Sequence, residues 1–209
     1  MGSDLRITNF GGGNTSAKIE MPDTLTGKNQ NVLWVKGSGG DLGSMNLDGF
    51  STLYMDKINK LKELYRGLKY EDEMVDYLPY CTFNLNPRAA SIDTSLHAFI
   101  PNKHVDHTHP DAAIAVACMK NSKKMTKIIF GEDMAWIEWQ RPGFDLGLKL
   151  EKIAKSNPKL KGVILGQHGL FTWGETSKEC YELTLSTIQR AADWFEKNKT
   201  KEAFGLSLI

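Results

Sequence analysis

The sequence predicts a layered α/β fold built on a mostly antiparallel sheet. Strand-like and helix-like segments alternate irregularly along the chain, so it does not read as the repeated strand–helix–strand unit of a doubly wound parallel sheet. Several strand-like runs also follow one another across short loops, and short loops join antiparallel neighbours. At 209 residues the chain is long enough for one compact domain, read as residues 1–209, with a real core.

Taken in order, LRIT (5–8) and SAKIE (16–20) are expected as short strands around FGGGN. The triplet Gly11 to Gly13 there makes a tight turn where backbone can approach a ligand. MPDTLTGKNQN (21–31) is a polar, hairpin-like connection into NVLWVKG (31–37), a strand rich in β-branched and aromatic residues. A second glycine-rich loop follows, GSGGDLG (37–43). Asp56 is expected to cap a helix through KINKLKELYRGL (57–68), whose Ile58, Leu61, Leu64, Tyr65 and Leu68 form one buried stripe. EDEMVDYLPYC (71–81) reads as a short helix stopped near Pro79, with Glu71 to Glu73 as a solvated start.

Asp93 to Phe99 is a further short helix ended by Pro101, and VDHTH (105–109) is a strand. Pro110 and Asp111 suit the first turn of an apolar helix, DAAIAVACM (111–119). KIIFGE (127–132) and AWIEW (135–139) read as strands, RPGFDLG (141–147) as a loop and LGLKLEKIAKSN (146–157) as a helix. GVIL (162–165) and LFTW (170–173) are strands. TSKE (176–179) is a capping box that opens a long helix through residue 198, with Cys180, Leu183, Ile188, Ala191, Trp194 and Phe195 facing inward.

Composition narrows the function classes. A net charge of +1 gives no electrostatic reason to expect nucleic acid or an anionic membrane as partner. No apolar run is long enough to span a bilayer, and MGSDLRITNF lacks the basic and apolar regions of a signal peptide, so a cytoplasmic location is expected. Cys81, Cys118 and Cys180 are odd in number and widely spaced, and read as reduced thiols in core positions.

The chemistry concentrates in SIDTSLHAFIPNKHVDHTHP (91–110), which holds four of the five histidines. His107 and His109 are two apart in a strand and leave it on one face, so the pair can grip one cation. His168 lies far downstream in GQHGLFTWG. Three neutral imidazoles with an open fourth position are the usual make-up of a catalytic zinc site. The bland alternative is three separately satisfied core histidines. His104 has the opposite parity and faces elsewhere, while His97 shares a helical face with Asp93 and reads as a packing partner.

Asp93 is the nearest candidate base; it could equally be a helix cap, and the two roles are compatible. GGGNTS and GSGGDLG offer backbone N–H groups and small hydroxyls suited to a phosphate. Each alone could be only a turn, and neither matches a P-loop or a dinucleotide fingerprint. Together with Ser91, they make a phosphosugar site plausible.

GGGNTS, VKGSGGDLG, SIDTSLHAF, HVDHTHPDAA and GQHGLFTWG, in that order, resemble the class II aldolase/adducin family across nearly the whole chain. The likeness is strongest to the aldolase portion of bifunctional rhamnulose-1-phosphate aldolase/alcohol dehydrogenase proteins. The resemblance implies a three-layer α/β/α sandwich with a central antiparallel sheet, assembled as a homotetramer with active sites between subunits. It implies zinc, or another divalent metal, on His107, His109 and His168, and Asp93 as catalytic acid/base. Gly13, Asn14, Ser38, Gly39 and Ser91 match positions that hold the substrate phosphate. The implied reaction is cleavage of a ketose 1-phosphate, here L-rhamnulose 1-phosphate, to dihydroxyacetone phosphate and an aldehyde such as L-lactaldehyde.

The chain departs from the family pattern at named points. The simple fuculose-type aldolases have Glu where this chain has Asp93, whereas the ribulose-phosphate 4-epimerase branch has Asp. Ile92 replaces a serine of the phosphate pocket. A family helix is expected ahead of GSDLRITN, so Met1 is read as a truncated start, and none of the 209 residues corresponds to the dehydrogenase domain of the bifunctional proteins. The family tyrosines contributed by a neighbouring subunit have no clear counterpart. A 4-epimerase or dehydratase of the same family is the alternative enzyme. A non-catalytic adducin-like interaction module is the alternative outside enzymes, and it would lack the three histidines this chain keeps.

Overall fold

The computed structural model describes residues 1–9 and 12–199. Its strands form one seven-stranded sheet in the order β3-β2-β1-β4-β7-β6-β5. The strands are β1 (Asn14–Pro22), β2 (Asn29–Lys36), β3 (Phe50–Tyr54), β4 (His104–Thr108), β5 (Met134–Ile137), β6 (Gly162–Leu165) and β7 (Gly169–Gly174). Only β5 and β6 pair in parallel; the other neighbours are antiparallel. The expected mostly antiparallel sheet is therefore present.

Helices cover both faces. On one side α1 (Met55–Leu64), α2 (Glu71–Asp76), α3 (Thr94–Phe99) and α6 (Phe144–Ser156) pack on Leu33, Val35, Val105, Val163, Leu165 and Phe171. On the other, α4 (Asp111–Ala117), α5 (Ser122–Phe130) and α7 (Ser177–Asn198) pack on Ile164 and Leu170. The alternation of Val163, Ile164 and Leu165 between the two cores follows from the strand's period of two. With both faces covered, all of β6 and β7 is buried, which is why GVIL carries no polar side chain and LFTW only Thr172, whose hydroxyl pairs with that of Thr184. Among the described residues no helix is long and apolar enough to cross a membrane.

Several expectations are corrected. LRIT is a turn, not a strand: the Ile7 N–H donates back to Asp4 O, and the Ile7 side chain drops into the core under α4 and α7. KIIFGE is not a strand, because Lys127 to Phe130 are the end of α5. Its two isoleucines mimic a β pattern, but Ser122, Thr126 and Phe130, four apart, make the buried helical face. RPGFDLG is a loop only as far as Gly143, after which α6 begins. β3 has no counterpart among the expected strands, since five residues behind a polar loop give too short an alternation to stand out. α1 stops at Leu64, Asp56 lies inside its first turn rather than at its cap, and Leu64 and Leu68 are exposed.

Glu71 is not solvated either. It is only 5% exposed and accepts from the Asp145 N–H at 3.1 Å and the Tyr65 hydroxyl at 2.9 Å. It thereby serves the orphan N–H groups at the start of α6, a site where carboxylates are favoured. Cys81 and Cys180 are buried free thiols as expected, but Cys118 is exposed. In α7 Thr176 caps the helix by accepting from the Glu179 N–H. Cys180, Ile188 and Ala191 face inward, joined by Thr184 and Thr187, whereas Leu183, Trp194 and Phe195 are half-buried.

Candidate metal centre and active site

β4 is the central strand, and His107 sits near its end, where β1 and β7 also begin. Across the ladders His107 lies opposite Asn14 on one side and Phe171 on the other. The strand parity works as the sequence implied: Val105 and His107 face the α3 side, while Asp106 turns to α7 and meets the Thr184 hydroxyl. His107 is fully buried, stacked on Phe171 with ring centroids 4.1 Å apart and the planes 10° off parallel.

Because a carbonyl can only accept, the 3.0 Å contact between His107 Nδ1 and Leu170 O puts the proton on Nδ1. The Nε2 lone pair is then free, and it stands 3.0 Å from His109 Nε2. This is the outer-shell arrangement that fixes the tautomer of a metal-ligating histidine. His168 arrives from the turn between β6 and β7. Gln167 N–H donates to Ala117 O at 3.0 Å and pins that turn to α4, and Gln167 itself adopts φ 56°. A left-handed non-glycine residue is a strained position, held here beside His168.

The ligand atoms of His107, His109 and His168 all lie within 4.8 Å of one another. Two nitrogens held by one tetrahedral zinc at its usual bond length stand about 3.3 Å apart, so the donor set fits a single ion. Burial pushes all three histidines below the ordinary imidazole range, His168 to about 4, with neighbouring imidazoles reinforcing this at His107 and His168. Neutral imidazole is the form that ligates.

Gly13 belongs to this geometry. It has φ +80°, and a Cβ there would lie 2.8 Å from His107 O. Gly13→Ala should lower the stability of the fold by roughly 1–3 kcal/mol, through strain and a backbone clash. Thermal denaturation with a midpoint at the wild-type value would contradict that. Gly11, of the same triplet, lies outside the described residues. Asn9 is a residue the sequence reading missed: its amide donates to His109 O at 3.1 Å and to the Asp111 carboxylate at 3.2 Å, tying the first loop to the histidine segment.

Asp93 sits at the start of α3 with no side-chain capping bond, so the capping alternative is not what the structure uses. Its Oδ1 is enclosed without a hydrogen-bond partner, as is Asn14 Oδ1. Burial raises the Asp93 carboxyl to about 6, with Asn14 and the charge of Lys36 opposing the shift. Asn14, whose side chain hydrogen-bonds the Asp93 carboxyl, lies across the ladder from His107, so one residue links the carboxyl to the histidine strand.

The Class II Aldolase and Adducin N-terminal domain family matches residues 2–194. The chain belongs to that family. It is 43% identical over 206 residues to YuxG of Bacillus subtilis (strain 168), an uncharacterized oxidoreductase, covering 98% of this chain but only 30% of that protein's length. Among solved structures it resembles the N-terminal class II aldolase domain of a conserved Thermoplasma acidophilum protein, with a TM-score of 0.83 and 32% identity over 93% of this chain and 88% of that one. It also shares its fold with L-fuculose-1-phosphate aldolase from Thermus thermophilus, with a TM-score of 0.58 and 12% identity over 91% of this chain and 85% of that one. The class II aldolase fold and family support an aldolase- or lyase-type enzyme, and such aldolases typically depend on a divalent metal.

The remaining sequence-predicted residues of this class II aldolase-family chain fall around Asp93. Ser91 is buried, and its Oγ accepts from the Asp93 N–H at 3.2 Å, leaving its own hydroxyl proton to donate. Ser38 N–H donates to Ala89 O at 2.8 Å, which brings the glycine loop against the segment leading into Ser91. Gly39 is left-handed at φ +71° and receives the Lys36 ammonium on its carbonyl. His97 is buried, with Nδ1 2.8 Å from Ser16 Oγ, and is a packing partner rather than a member of the triad. His104 faces away, as its parity implied.

Proposed function

We propose that this chain is a zinc-dependent aldolase that cleaves a ketose 1-phosphate, L-rhamnulose 1-phosphate first among them, to dihydroxyacetone phosphate and an aldehyde such as L-lactaldehyde. The observation that carries this reading is the convergence of His107, His109 and His168 on one point, with Asp93, whose Oδ1 is enclosed without a partner, linked to that strand through Asn14. A divalent cation held by the three imidazoles would supply the Lewis acidity that draws electron density from the substrate ketone. The chain's own groups do the rest. Gly13, Asn14, Ser38, Gly39 and Ser91 hold the phosphate and so fix the sugar's register against the histidines. In cleavage a base takes the C4 hydroxyl proton, the C3–C4 bond breaks as C4 becomes the aldehyde carbonyl, and its electron pair remains on C3 of the dihydroxyacetone phosphate fragment. Asp93 returns a proton to C3 of that fragment, and in condensation it removes the same proton.

The family resemblance supports a homotetramer and a cytoplasmic enzyme. The length of the Bacillus subtilis relative and its printed name fit an aldolase portion joined to a dehydrogenase in a longer protein. The test is aldol cleavage of L-rhamnulose 1-phosphate by zinc-loaded protein, following dihydroxyacetone phosphate, with a chelated control. Zinc-dependent release is expected. Metal-bound protein that releases none but inverts C4 of a sugar phosphate would be an epimerase, and the lyase reading would fail.

A further inference from the structure

β1 inverts the usual pattern of a strand against a core. Asn14, Ser16 and Lys18 alternate on one face, and that polar face is the buried one. Burying polar groups costs stability unless each meets a partner. Here the partners all come from α3 or the turn that follows it. The Asn14 side chain hydrogen-bonds the Asp93 carboxyl. Ser16 Oγ lies 2.8 Å from His97 Nδ1. The Lys18 ammonium donates to His97 O at 2.9 Å and to Asn102 O at 2.8 Å.

These contacts answer a need of the helix. The last carbonyls of a helix have no partner within it, and a cation is favoured there. Lys18 meets that need from inside the protein, where burial lowers its ammonium to about 7 and the charge of Glu175 opposes the shift. It forms no ion pair among the described residues. His97 lies one turn on from Asp93, and its N–H donates to Asp93 O at 3.2 Å. The His97 ring stands 5.6 Å from that of Phe171, which stacks on His107. The polar row therefore grips α3 at both ends, and His97 fills the space between that helix and the ring beside His107.

We propose that Ser16, Lys18 and His97 are positioning residues that hold α3 on β1 and so keep the Asp93 carboxyl enclosed and in register with the histidine strand. The proposal rests on Asp93 as the acid/base of the reading above and names what sets its place. None of the three belongs to the metal-binding triad, so their effect travels through α3. A misplacement of about 1 Å can cost about a hundredfold in rate, so the grip on this helix has catalytic consequences.

Carboxyl-carbon NMR of zinc-loaded protein, following the titration of Asp93, reads the grip without turnover. Lys18→Met keeps the length of the side chain and removes its donors. A loosened α3 lets water reach Asp93, so its titration should move from about 6 toward 3.8. Mere loss of a nearby positive charge would move it up instead, so the direction separates positioning from electrostatics. With a cleavable ketose 1-phosphate, kcat should fall about tenfold to a hundredfold, with KM little changed and bound zinc equal to wild type. His97→Leu should behave alike, and His97→Asn, whose amide can stand in for Nδ1 toward Ser16, should recover most of the rate. Thr15→Ala is the control from the opposite face of β1, where the Thr15 hydroxyl donates to Asp106 at 2.7 Å; it should leave the Asp93 titration at its wild-type value. If Lys18→Met does not fold, the His97 pair decides the matter alone. A wild-type Asp93 titration in the folded variants, a shift upward, or an equal shift in Thr15→Ala would each overturn the proposal. Failure of the lyase reading is separate: it would show as no cleavage by a wild-type protein whose Asp93 titration still moves down in the variants.

Discussion

Replacing His168 with alanine is expected to remove stoichiometric zinc and reduce aldol cleavage by about a thousandfold or more, since Lewis-acid stabilisation is worth several kcal/mol. His107→Ala should do the same, but the two variants should differ in stability. His168 is half-buried on a turn, so its loss should leave the melting temperature nearly unchanged. His107 is fully buried, stacks on Phe171 and satisfies Leu170 O. Its truncation leaves a cavity beside Phe171 and removes a buried hydrogen bond to Leu170 O, which costs roughly 2–5 kcal/mol. Metal content by atomic emission, turnover and thermal melts separate these effects. Full zinc occupancy in either variant, with activity intact, would refute the triad as the metal site.

Asp93→Asn is expected to lower kcat by about a hundredfold to ten-thousandfold, the usual range for a positioned acid or base, while leaving zinc bound. Its pH dependence follows from burial. The folded carboxyl titrates at about 6, against an ordinary 3.8. The base must be ionised, so kcat/KM in the condensation direction should fall tenfold per pH unit below about 6 and lie flat above it. The stability sign is opposite to that of a salt-bridged aspartate. Between pH 3.8 and about 6 the native state binds more protons than the unfolded chain, so stability falls as pH rises through that window. The neutral amide escapes this penalty. At pH 7.5 Asp93→Asn should therefore melt no lower than wild type. A variant that turned over at the wild-type rate would remove Asp93 from the mechanism, and one that lost its metal would make Asp93 a support of the site rather than its base.

The polar groups show where sequence reading runs out. Glu71 sits in a run of three acids, which normally marks a solvated helix start, yet the approach of α6 buries it as a cap. Lys18 looks like an ordinary strand lysine, but it is buried, with its ammonium donating to His97 O at 2.9 Å and Asn102 O at 2.8 Å. In each case the partner comes from another element, and no periodicity in the residue's own neighbourhood encodes it.

The sequence by itself brought His107 and His109 together by their spacing of two, and their ring nitrogens stand 3.0 Å apart although His109 falls one residue past the end of β4. It also determined the apolar runs of β6 and β7, the amphipathic face of α7 and its Thr176 cap, all set by spacing along one segment. Only the tertiary structure decided that His168, 59 positions beyond His109, completes one donor set with the pair. The antiparallel pairing of β4 with β7 does this, because it returns the start of β7 to the end of β4 where the two histidines stand. The same applies to Asp93: its residue type is legible, but its raised carboxyl pKa depends on how completely packing strips water from it.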